Sequence, residues 1–148
     1  MTQHDLTPAA VARRLVDEVW NQVDAVKRSR ALRDLHPPQI ANEGTATTLD
    51  QLEAWHFRMR ETYPDLRYQI DELIEADEHV TMRWTATGTQ RGSLWGLVPP
   101  TNQRVSWRGI HLLTVSSGRI RAVWAAANTV DVLQQLGVRL GPPESPTE

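Results

Sequence analysis

Cysteine is absent from the 148-residue chain, which excludes disulfides, thiol nucleophiles and thiolate metal sites together. Lysine is almost absent too: of sixteen basic residues only Lys27 is not arginine. Acid is missing locally. Between His79 and Val130 there is no Asp or Glu, while Arg83, Arg91, Arg104, Arg108, Arg119 and Arg121 all fall inside. No run approaches the roughly 20 apolar residues that crossing a bilayer requires. The opening MTQHDLTPAA lacks the basic start and apolar segment of a secretory signal, so a cytoplasmic protein without membrane contact is expected. The arginines are spread over strands and turns without a basic cluster or a helix-turn-helix pattern, which argues against a nucleic-acid partner. There is no glycine-rich phosphate loop, no GxSxG and no HExxH. The five histidines, at 4, 36, 56, 79 and 111, are far apart in sequence, so neither a cofactor nor a metal is expected.

What is present is one domain's worth of ordinary globular chain, 40% hydrophobic and 23% charged, enough for a single core. Residues 1–140 read as one domain, and the proline-rich tail 141–148 as disordered. Thr7-Pro8 is a helix start. Val11, Leu15, Val19 and Val23 then recur every four residues, and this helix ends or bends near Asn21 to Val26. A second helix runs through Arg28 to Leu35 and is stopped by Pro37-Pro38. Thr48 or Asp50 caps a third, with Leu49, Leu52, Trp55, Met59 and Thr62 on one face and Tyr63-Pro64 as its end.

After residue 65 the apolar period drops to two, the mark of sheet. Strands are predicted from Leu66 to a turn at 76–79, through Val80–Thr87, near Arg104–Val115, and over Ile120–Asn128, the last two joined by a hairpin at SSGR. Thr129 is placed to cap a final helix, Val130–Leu136, with Gly137 as its stop. Helices followed by antiparallel strands predict an α+β fold, a curved antiparallel sheet wrapped around N-terminal helices, with a ligand in its mouth.

One face of the strand from Arg104 carries Val105, Trp107, Gly109, His111, Leu113 and Val115, apolar except for His111. An imidazole there is either a satisfied core histidine or a group poised as acid, base or hydrogen-bond donor. Any carboxylate partner must come from the N-terminal half, where Glu43, Asp50, Asp65, Asp71 and Glu72 are the choices and sequence does not rank them. Neutral polar groups within reach are Asn42, Gln90, Thr87 and Asn128, with Asn42 and Gln90 as polar supports. Trp107 and Trp95 are candidates for stacking on a flat ligand or for simple packing, with Trp55, Met59 and Leu97 as further substrate contacts. Arg83, on the polar face of its strand, is a candidate either for neutralising an enolate or phenolate or for a solvated or dimer-facing arginine.

The run YPDLRYQIDELIEADEHVTMRWTATGTQRGSLWGLVPPTNQRVSWRGIHLLTVSSGRIRAVW, residues 63–124, resembles the SnoaL-like polyketide cyclases of the nuclear transport factor 2-like superfamily. The matching features are the PDL opening, RWTATGT, a loop ending in PPT, and the GIH strand followed by a glycine hairpin and Trp124. VWNQ at 19–22 and IANEGTATTLDQLEAW at 40–55 resemble the family's N-terminal helices. The resemblance implies a cone-shaped α+β barrel with a deep apolar pocket, commonly a homodimer through the outer sheet face. It also implies a cofactor-free enzyme that cyclises or rearranges a hydrophobic polyketide-type substrate. His111 matches the family's strand histidine. The essential aspartate after the tryptophan of the last strand is replaced by Ala125, a histidine common after TGT is replaced by Gln90, and another before the third helix aligns with Asn42. A non-catalytic small-molecule binder and an epoxide-opening or hydroxylating relative are the alternatives.

Overall fold

The computed structural model describes residue 2 and residues 5–142. Most of the tail expected to be disordered, residues 143–148, lies outside them. The first helix, α1 (Pro8–Arg14), starts where Thr7 accepts a hydrogen bond from the Ala10 amide at 3.1 Å, with Pro8 in its first turn. It does not simply end. Leu15–Trp20 continue as a π-helical turn, closed by the Asn21 amide on the Val16 carbonyl at 2.8 Å. Helix α2 (Ala25–Leu35) begins earlier than the sequence suggests, because Asp24 caps it through the Lys27 amide. Helix α3 (Leu49–Thr62) carries a reciprocal capping box between Thr48 and Gln51, which settles the cap on Thr48 rather than Asp50.

Between α2 and α3 lies a small hairpin that the helical reading of this region missed: β1 (Gln39–Asn42) and β2 (Thr45–Thr48), turning at Glu43-Gly44. Strands of four residues, one of them TATT, carry no readable apolar period. The longer strands fall where expected: β3 (Arg67–Ala76), β4 (His79–Thr89), β5 (Arg104–Ser116) and β6 (Arg119–Ala127). Helix α4 (Thr129–Gln135) is capped by Asn128, one residue before the predicted Thr129, and Gly137 follows with φ +83°.

The six strands form one sheet in the order β2-β1-β6-β5-β4-β3. It is mixed rather than wholly antiparallel, because β1 joins β6 in parallel through Ala41–Ala122 and Asn42–Val123. The sheet stays open, and its β3 edge is met by Asn21, whose amide donates to the Tyr68 carbonyl and accepts from the Tyr68 amide at 2.8 and 2.7 Å. Helices and inner sheet face share one core, with Val11, Val19, Leu32, Leu35, Val80, Met82, Leu113 and Ile120 buried. The inner face of β5 is Val105, Trp107, Gly109, His111, Leu113 and Val115, as its alternation requires.

Candidate active site

Helices and sheet enclose a cavity of about 700 Å³, large enough for a polycyclic small molecule. Its walls are mainly apolar and aromatic, with Trp20, Tyr63, Tyr68, Trp84 and Trp107 among them. His111 stands in this wall. Its Nδ1 accepts a hydrogen bond from the Trp84 indole Nε1–H at 2.9 Å, and the Trp20 indole packs on the ring with centroids 4.7 Å apart and planes at 61°.

Two local features build that contact. Trp84 and Gly109 are directly paired across β4 and β5. A Cβ at position 109 would run into the Trp84 indole, so only glycine lets the ring lie across the strand and reach His111. Trp20, for its part, is the last residue of the π turn, a widened helical geometry that is often found at functional sites.

The bond to Trp84 decides the chemistry of His111. An indole N–H can only donate, so Nδ1 must carry a lone pair and the proton of the neutral ring resides on Nε2. Burial lowers the pKa of His111 to about 4, so the ring is neutral at physiological pH. Nε2–H has no protein partner among the described residues and is not among their buried unsatisfied atoms. It is therefore a free donor in the cavity wall.

Directly across β6 from His111 is Ala125, its Cβ about 5 Å away by the geometry of such pairs. Ala125, Ala126 and Ala127 all line the cavity. A carboxylate at 125 would stand against the imidazole and raise its pKa. With alanine there, the only acidic residue lining the cavity among the described residues is Glu43, at the β1–β2 turn. The other candidate acids are spent elsewhere. Asp65 binds the Thr89 amide and hydroxyl, Asp71 binds Thr85, Glu72 pairs with Arg83, and Asp50 faces Arg33.

The remaining candidates divide. Asn42, Trp55, Met59, Trp95 and Trp107 line the same cavity as His111 and Ala125. Trp95 sits at φ +53° and is half-exposed. Arg83 does not reach the cavity: it lies on the outer face of β4, bound to Glu72 at 3.3 Å and Asp71 at 3.6 Å. Strand alternation alone places it there, one residue from the inward-facing Trp84. Leu97 is 79% exposed at the loop tip and also off the lining.

Gln90 is fully buried, yet it is not a cavity residue. Its amide donates to the Val98 and Pro99 carbonyls and accepts from the Thr101 amide and hydroxyl. With its hydrogen-bonding capacity consumed, it fastens the base of the 91–103 loop.

Sequence reasoning passed over two further imidazoles on the lining, His36 and His56. His36 is 5% exposed and its Nδ1 lies 2.7 Å from the Leu32 carbonyl. Burial lowers its pKa. His56, on α3, is held down to about 3, by burial first and then by the neighbouring charges of His36, Arg28, His111 and Arg60. The guanidiniums of Arg28 and Arg60 bind the Gln22 and Trp20 carbonyls, at the end of the π turn. Spacing holds no signal for this cluster, which comes from three different elements. The stop at Pro37-Pro38 was the one hint, since it fixes where the chain leaves α2.

Among the described residues no group of three or more His, Asp or Glu is arranged to hold a metal ion, and no helix is long and apolar enough to cross a membrane.

No curated protein matches the sequence. Solved structures do. IdmH from Streptomyces antibioticus, described as a candidate polyketide cyclase, aligns with a TM-score of 0.77 at 23% identity, over 90% of this chain and 100% of its own. AclR from Streptomyces galilaeus, described as a candidate hydroxylase, gives 0.73 at 24%, over 88% and 95%. A candidate SnoaL-like polyketide cyclase from Jannaschia gives 0.76 at 21%, over 95% and 94%. These likenesses establish the α+β architecture with its open, curved sheet. The sequence itself matches the SnoaL-like polyketide cyclase family over residues 10–136, and with that span covering nearly the whole cavity-bearing domain, the chain belongs to this family.

Proposed function

We propose that the protein is a cofactor-independent enzyme of polyketide-type metabolism that binds a hydrophobic aromatic ketone in the cavity and promotes its cyclisation or rearrangement. The observation that carries this reading is the Trp84–His111 hydrogen bond beside Ala125. It leaves a neutral imidazole whose Nε2–H faces a largely apolar space. Such a donor stabilises negative charge as it develops on a carbonyl oxygen, and in a site screened from water its effect is larger than in solution. The aromatic walls would hold a flat substrate with its reacting atoms together. Asn42, whose side chain makes no hydrogen bond to any described residue, is a second polar contact, and Trp55, Met59, Trp95 and Trp107 complete the binding surface.

The outer sheet face supports homodimerisation. Ile110, Leu112 and Trp124 are 47%, 38% and 56% exposed there, with Leu112 and Trp124 directly paired.

The test is ring closure of bicyclic aromatic ketones bearing a β-ketoester arm, followed by chromatography with mass detection. The wild-type protein is expected to give product. His111→Gln should lower kcat about a hundredfold while substrate affinity changes only a few-fold. Equal turnover by the variant would remove His111 from the reaction. Tight binding with no product from wild type would instead make the protein a non-catalytic carrier.

A further inference from the structure

His36 sits one residue past α2, where Pro37 holds the preceding backbone extended, at φ −130° and ψ 147°. That conformation turns the ring back onto its own helix. There Nδ1 meets the Leu32 carbonyl, a group that can only accept. The proton of the neutral ring is therefore on Nδ1, and Nε2 keeps its lone pair. His111 has the opposite arrangement, because its partner, the Trp84 indole, can only donate. Two partners of opposite kind thus fix two histidines of one cavity in opposite tautomers: one presents an acceptor, the other a donor.

We infer that His36 Nε2 is the proton acceptor that takes over from the carboxylate missing at position 125, acting on an enolisable ketone whose carbonyl oxygen is held by His111 Nε2–H. The inference rests on the proposed ketone-binding function and names its base. In the step, a C–H bond next to the carbonyl breaks and its proton goes to His36 Nε2. The electron pair moves through the carbon–carbon bond to the carbonyl oxygen, giving an enolate that accepts from His111. The carbon then attacks its electrophile or takes a proton back from His36.

Burial and hydrogen bonding favour His36 over its neighbours. Glu43 is exposed at the β1–β2 turn, whereas His36 is buried and held by a 2.7 Å bond. His56 makes no hydrogen bond to any described residue, so neither its tautomer nor its orientation is fixed. Burial also keeps His36 unprotonated at neutral pH, which leaves its lone pair available. Arg28 and Arg60 form no ion pair within 4 Å with any described carboxylate, and their positive charge weighs on His56, which makes it the poorer base.

The experiment has two arms on the full-length protein. Nitrogen-15 NMR of the imidazoles reads the tautomers without any ligand. His36 should be protonated at Nδ1 and bare at Nε2, and His111 the reverse; a proton on His36 Nε2 would overturn the inference whatever the activity. The second arm follows deuterium uptake at C1 of 2-tetralone in D2O. Wild type should accelerate exchange over buffer, and His36→Asn should remove at least about a hundredfold of that acceleration. Asparagine keeps a donor for the Leu32 carbonyl but has no basic nitrogen, so a purely structural cap would leave exchange unchanged in this variant, and that result would sink the idea. Loss in Glu43→Gln or His56→Asn with retention in His36→Asn would overturn it as well, by naming another base. If the tautomers are as stated but wild type neither binds nor exchanges the ketone, it is the ketone-binding function that fails, and the inference falls with it.

Discussion

Strand β4 shows two chemistries one residue apart. Inward, Trp84 is 3% exposed and gives its single proton to His111. Outward, Arg83 lies between Asp71 and Glu72, with about half its side chain in water. Inside, His111 and His36 are neutral and each is held by one directional bond; the outer face has full charges in loose pairs. Burial explains the contrast. Inside, burial disfavours the protonated imidazole and the histidines give up their protons, whereas outside water screens both signs.

The comparison can be broken most forcibly by putting a charge on the inner face. Ala125→Asp sets a carboxylate against His111 and should lift the imidazole from about 4 to roughly 6.5 or above, as read by NMR titration of the ring protons. A pKa that stays near 4 would mean that the two side chains do not meet.

Acid tests the same face in the unaltered protein. The unfolded His111 takes up its proton near pH 6.5 and the folded one only near 4, so between these values the unfolded state binds more protons and stability falls as pH falls. His111 alone accounts for about 3 kcal/mol over that window, and His36 and His56 act in the same direction. Urea unfolding at pH 7 and pH 4.5 should show the loss, with a shallower slope in His111→Gln. The smallest effect belongs to the outer face. Arg83→Ala should cost under about 1 kcal/mol and leave ketone affinity unaltered, by calorimetry.

How much of this was legible in the sequence follows the same division. The inward row of β5 was readable because alternation over many residues is a strong pattern, and it correctly set His111 in an apolar wall. The same alternation puts Arg83 on the opposite, polar face, and of its two readings there, enolate contact or solvated arginine, the structure bears out the second. Gln90 reads in the sequence as a polar group within reach of the site, and only the fold shows its amide consumed by four loop bonds. Among five possible acids the ranking needed three dimensions, since Glu43 reaches the lining only because a short polar hairpin attaches in parallel to β6. His36 looked like the last residue before a proline stop. Its role depends on a ring turned back by that stop, which no residue pattern encodes.

Gly109 contributes no atom to the lining and touches no ligand, yet it governs which nitrogen of His111 carries the proton. Alanine there would push the indole off the strand and free Nδ1 from its donor, so the ring would be able to carry its proton on either nitrogen. A single methyl group, pointing away from the substrate, would change an oriented donor into an ambivalent one.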